Sequence, residues 1–162
     1  MGSAHTDEGA GVATGRQPAR AEVGEMSTRS ITILESDGIE VAVFYRHCDG
    51  YPTGHGDELA QFLAGKRVVN GISGDPRTVF NGPAAVAAQV VAHFTDAEKT
   101  GEFYLYPAGT RGMGEEYTYS VAATSAEGFG GDGAITLTCA GYDGRTLYQG
   151  SPDGFDGSGL EE

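Results

Sequence analysis

RSITILESDGIEVAVFYRH, residues Arg29 to His47, decides how this chain folds. Arg29–Glu35 and Glu40–His47 are rich in β-branched and aromatic residues, and Asp37-Gly38 between them signals a two-residue type I′ hairpin turn. Such a turn pairs residues whose numbers sum to 75, which sets Thr32 opposite Val43, Ser30 opposite Tyr45 and Thr28 opposite His47. With the strand period of two, Thr28, Ser30, Tyr45, His47 and Asp49 then share one face, and Arg29, Arg46 and Cys48 the other.

Downstream, Gly54–Leu63 reads as a short helix, with Asp57 and Glu58 at its positive end and Leu59, Phe62 and Leu63 as its apolar stripe. Residues 64–80 connect, with one short strand at Arg67–Asn70. Asn81-Gly82-Pro83 opens the clearest helix, Pro83 to Phe94, with proline at its first position and Val86, Val90, Val91 and Phe94 as the buried stripe. Strands follow at Glu102–Tyr106, Glu116–Ala122, Ala134–Ala140 and Arg145–Tyr148, with a Gly-rich loop at 107–114 and a tight turn at Gly141-Tyr142-Asp143-Gly144. The expected class is α+β. A mainly antiparallel sheet is built from the N-terminal hairpin and three to four later strands, with two helices on one face. Residues 28–149 form the single domain. Residues 1–27, nearly devoid of large apolar side chains, are expected to be a disordered or loosely docked extension, with Met26 a second candidate start. Residues 150–162 are expected to be an acidic, flexible tail.

The chain has 162 residues and a net charge of −13, with 23 acidic residues against ten basic ones. That balance argues against nucleic-acid and anionic-membrane partners. Only Lys66 and Lys99 among the basic residues are lysines. An acidic, lysine-poor surface suits a halophilic or high-GC host, where salt screens the self-repulsion; ordinary acidity is the other reading. No stretch has the length of a membrane span, and the N-terminus lacks a signal-peptide apolar core. Cys48 and Cys139 are read as free thiols.

Chemistry-bearing residues gather at the end of the hairpin, in Tyr45-Arg46-His47-Cys48-Asp49-Gly50-Tyr51-Pro52 and the following Thr53-Gly54-His55-Gly56-Asp57. His47, Asp49, His55 and Asp57 offer imidazole and carboxylate ligands to a Zn²⁺, Mn²⁺ or Fe²⁺ ion, as in a metal-dependent hydrolase, although turn and helix-start roles for Asp49 and Asp57 compete. No catalytic residue is assigned, because Cys48 and His47 fall on opposite strand faces, and no cofactor is implied. A pocket for a small anionic or aromatic ligand is the favoured reading. Arg29, Arg46 and Arg111 supply bidentate contacts, and Tyr45, His47, Asp49 and Tyr51 line it. Tyr104, Tyr106, Tyr117 and Tyr119 are further rings for stacking, with ordinary half-buried sheet positions the competing reading for each tyrosine. Gly109–Gly114 lacks the strand–loop–helix context of a phosphate-binding loop.

Met26-Ser27-Thr28-Arg29-Ser30, the Tyr45–Pro52 motif, Gly56-Asp57-Glu58-Leu59 and Tyr117-Thr118-Tyr119 together resemble a family of small uncharacterised proteins of tailed phages and prophages. The resemblance covers residues 26–63 well and 102–122 loosely. It implies a viral or mobile-element origin, residence in the host cytoplasm or in the virion, and functional weight on Arg29, His47, Asp49, Tyr51 and Pro52. The expected partners are a small, nucleotide-type ligand or viral and self subunits, a homo-oligomer included. The N-terminal extension and acidic tail depart from the family pattern.

Overall fold

The computed structural model describes residues 27–71, 75, 77–95, 101–128 and 131–161, so the expected N-terminal extension lies outside the described residues but for Ser27. β1 (Ser30–Ser36) and β2 (Ile39–Arg46) form the hairpin, and Asp37 and Gly38 both take positive φ (50° and 76°), as a type I′ turn requires. A π-helical turn (Pro52–Gly56) leads into α1 (Asp57–Leu63), two residues ahead of the expected helix start. Next come β3 (Arg67–Val69), β4 (Val79–Asn81), α2 (Pro83–Phe94), β5 (Phe103–Pro107), β6 (Tyr117–Ala123), β7 (Asp132–Gly133), β8 (Ile135–Ala140) and β9 (Thr146–Gly150).

The main sheet has six strands in the order β5-β2-β1-β6-β8-β9, and β4-β3-β7 form a smaller one. The α+β class holds, but both sheets are mixed. The main sheet is mainly antiparallel, as expected, in four of its five pairings; β6 runs parallel to β1, and in the small sheet β4 runs parallel to β3. The reason lies in connectivity. The chain passes from β2 through both helices into β5, which pairs antiparallel to β2 on its outer edge. Residues 108–116 then cross both hairpin strands and lay β6, pointing the same way as β5, on the free side of β1.

The hairpin register also differs from the expectation. Ser36 pairs with Ile39 and Glu35 with Glu40, as the turn dictates, but Leu34 then pairs with Ala42, which leaves Val41 as a bulge. Beyond it, Thr32 faces Phe44, Ile31 faces Tyr45 and Ser30 faces Arg46. The gain is burial. The shifted register puts Phe44 on the same face as Leu34, under α2, and both are almost completely buried in the main core. Burying one such side chain is worth about 1.5–3 kcal/mol. α2 lays Val86, Ala87, Val90 and Phe94 onto that face. The opposite face has a small cluster only, Ile31, Val43 and Tyr45, flanked by Tyr106 and Met113.

The expected flexible tail is instead packed. Two 3₁₀ turns, Pro152–Gly154 and Gly157–Gly159, lie against the π-helical turn and α1, and Pro152 and Gly157 are buried. The contact combines carboxylates that accept backbone N–H groups with the isolated side chains of Pro152 and Phe155, which make no periodic hydrophobic pattern. Gly157 N–H donates to Asp57 Oδ1 (2.9 Å), Gly65 N–H to Asp153 Oδ1 (2.9 Å), and Thr53 N–H to Glu161 Oε1 (2.9 Å).

Candidate functional site

The motif begins where β2 ends. Asp49 takes φ +56°, a conformation that Asp tolerates better than most residues, and this turns the chain away from the sheet. Gly50 N–H donates to the Thr28 carbonyl (2.8 Å), and the Gly50 carbonyl accepts the buried Tyr119 hydroxyl (2.9 Å). A Cβ on Gly50 would stand 2.8 Å from Arg29 C and Ser30 N, so the turn is pressed onto β1 too closely for any side chain. His55 N–H then donates to the Asp49 carbonyl (3.0 Å) and closes the turn.

Behind the turn, His55 is completely buried among the rings of Phe44, Phe94, Phe103 and Tyr119, with centroids 5.2–6.4 Å away. Burial first, and the charge of Arg46 second, hold its pKa well below that of a free imidazole, so the ring is neutral. Arg46 Nη1 lies 3.3 Å from His55 Nδ1, and Thr32 Oγ1 lies 2.8 Å from Nε2. A guanidinium can only donate. Nδ1 is therefore the acceptor, and the proton sits on Nε2 and is given to Thr32. Arg46, itself 4% exposed, also donates from Nε to the Cys48 carbonyl (2.7 Å) and from Nη1 to Glu58 Oε2 (2.5 Å), and stacks over Phe103 (5.1 Å). Both nitrogens of His55 are engaged and the ring is shut off from solvent. The arrangement is a hydrogen-bonded lock between β1, β2 and α1, without a base free to accept a substrate proton.

On the other side of the motif His47 is exposed and Tyr45 is buried beside it. Tyr45 Oη lies 3.1 Å from His47 Nδ1, and the Tyr45 ring meets Tyr104 and Tyr106 at 6.0 and 6.3 Å. Continuing the β1–β2 register places Arg29 across from His47, on this face. Six arginines are among the described residues, and the other five each hold a carboxylate within 4.0 Å; Arg29 holds none among the described residues, and its buried Nε has no hydrogen-bond partner. Burial pushes the Tyr45 phenol pKa up, and the positive charge of Arg29 opposes that shift. Arg29 Nη1 lies where a Cβ on Gly114 would come within 3.0 Å of it. Gly114 in turn borders a shallow depression of about 740 Å³ whose lining includes Gly112, Thr118, Ala140 and Tyr142.

Arg29, Tyr45 and His47 are thus brought together, with Tyr104 and Tyr106 beside Tyr45, and the remaining expected residues are not. Asp49 is exposed at the turn, and the Tyr51 ring lies over Gly54. Arg111 makes a two-pronged ion pair with Glu40 (2.9 and 2.8 Å), about 20 Å from Arg46 at the strand rise, because Glu40 sits at the far end of β2. The expected metal set is divided as well. His47 is exposed and His55 lies in the core, while Asp57 accepts the Gly157 N–H. Among the described residues no group of three or more His, Cys, Asp and Glu side chains is gathered to hold a metal ion. The sequence places Thr32 in the hairpin and Glu58 at the helix start but does not join them to His55; the bulge at Val41, which puts Thr32, Phe44 and Arg46 on one face, is what brings the network together.

Compared with protein-family models, curated proteins and solved structures, the chain matches none. Among the described residues no helix is long and apolar enough to cross a membrane.

Proposed function

We propose that the protein binds a small anionic, ring-bearing ligand at the Arg29 end of the β1–β2 hairpin, in the service of a phage or related mobile element. The supporting observation is Arg29. In a chain of net charge −13, its guanidinium meets no carboxylate among the described residues beside the Tyr45–His47 pair, and its buried Nε is unpartnered. An unneutralised, part-buried guanidinium is costly unless an anion completes it, and phosphate or carboxylate fits its fork. Tyr104, 44% exposed, provides a ring face for a base or other planar group, and the buried Tyr45 ring backs it. A thermal-shift screen against cyclic nucleotides and ADP-ribose derivatives tests this. A rise in Tm that disappears in Arg29→Ala and shrinks in His47→Ala is expected; a flat screen, with neither variant differing from the parent, would refute it.

A second reading is favoured by a separate observation. Ile39, Val41, Tyr104 and Leu105 are 68, 44, 44 and 56% exposed along the hairpin tip and the edge strand β5. A structural or accessory protein of a virion would bury such surface against other subunits, with the motif acting as a rigid junction. Detection of the chain in purified particles supports that reading, and strict absence from them removes it.

A further inference from the structure

A second recess lies at the same end of the sheet, on the side away from Arg29. It is a cleft of about 340 Å³ between the start of β6, the β8–β9 turn and the C-terminal residues. Its walls are two tyrosine rings, Tyr117 and Tyr142, and two leucines, Leu147 and Leu160. Its size is that of a site for a small molecule or a single long side chain. The charges around it are unbalanced. Glu116 and Asp143 line it, Glu161 stands near enough to act on the Tyr117 phenol, and Arg145, the one cation in the lining, lies 4.0 Å from Asp143. Three carboxylates against one guanidinium leave a net charge of −2. The field is felt in the cleft itself, because Glu161 and Glu116 add to burial in pushing the Tyr117 pKa upward. The packed C-terminal segment, which seats Leu160 and Glu161, completes the recess.

We propose that this cleft takes a primary alkylammonium group, either a free amine or a lysine side chain of a partner. The chemistry follows from the walls. Tyrosine faces attract a cation through their quadrupole, leucines accept a methylene chain, and the carboxylates stabilise the charge. The net charge of −13 also draws cations toward the surface from a distance.

Isothermal titration of the full chain at low salt tests this, with 1,5-diaminopentane in one arm and the peptide Gly-Gly-Lys-Gly-Gly in the other, and sodium chloride as the control cation. Saturable binding of both, at about millimolar or tighter, is expected. Binding of the diamine alone assigns the site to free amines, and binding of the peptide alone to a partner lysine. Tyr142 is 87% exposed, so Tyr142→Ala should leave Tm unchanged while weakening binding about fivefold or more. Glu116→Gln should weaken it about two- to fivefold. No saturable heat in either arm, or an affinity unchanged in Tyr142→Ala, overturns the proposal.

Discussion

At the scale of single residues, His55 carries the most weight. It satisfies Arg46 from one ring nitrogen and Thr32 from the other, in a pocket that admits no water. His55→Leu keeps the volume but leaves the guanidinium and the hydroxyl each short of a partner. Chemical denaturation should show a loss of about 2–4 kcal/mol, whereas His47→Leu on the exposed face should stay within about 0.5 kcal/mol. The same residue gives stability a pH dependence whose sign is fixed. A folded-state pKa below the unfolded value of about 6.5 means that the unfolded chain binds the extra proton. Stability is therefore complete above about pH 6.5 and declines as pH falls toward the folded-state value. Midpoints measured between pH 8 and 5 should show that decline in the parent chain and a flatter profile in His55→Leu. Glu40, held below its usual range by Arg111 and the Gly109 N–H, adds a further loss near and below pH 4.

At the scale of elements, the C-terminal segment acts as a strap. Asp57 and Glu161 tie it to the π-helical turn and to α1, and Phe155 packs against Tyr148 (5.1 Å). Gly157 approaches Pro52 so closely that a Cβ would lie 2.4 Å from the proline carbonyl carbon. Truncation after Gly150 should lower Tm and speed amide exchange at residues 53–57, with the β1–β2 core amides changed least; unaltered exchange there would mean that the strap bears no load. This strap was not legible in the sequence, since it docks by glycine backbone, carboxylate side chains and the isolated Pro152 and Phe155, and offers no apolar period. The bulge at Val41 was hidden for a different reason. Turn chemistry set the first two pairs correctly, and only the burial of Phe44 beside Leu34, a tertiary effect, shifts the register beyond them. β4 and β7 are three and two residues long, too short for any periodicity to show. Where a local signal and the buried face agreed, the reading held. Proline at the first position and the Val86, Val90, Phe94 stripe located α2 to its end residues, and Asp37-Gly38 located the hairpin turn. Of the candidate ligand residues, Arg29, Tyr45 and His47 do come together, while Arg111 was drawn off by Glu40, a partner that spacing alone cannot reveal.

At the scale of the whole molecule, charge dominates. A net −13 on 162 residues disfavours the compact state through self-repulsion, which salt screens. Tm should therefore rise between 0.05 and 1 M sodium chloride. A fall would indicate that the few ion pairs, such as Arg46–Glu58, outweigh the repulsion. The two faces of the main sheet divide the labour: one is sealed by α2, α1 and the strap, and the other carries the smaller buried cluster of Ile31, Val43 and Tyr45, with Arg29, exposed His47 and half-exposed Tyr104 around it. The motif straddles that division, with Arg46, Gly50 and His55 turned inward and Tyr45 and His47 outward.

The inward half of that division is tested most directly by long-range ¹H–¹⁵N correlation of the histidine side chains across pH 8 to 5. The His55 ring should remain neutral throughout, with its proton on Nε2. A His55 ring that titrates near 6.5, or that carries its proton on Nδ1, would contradict the lock.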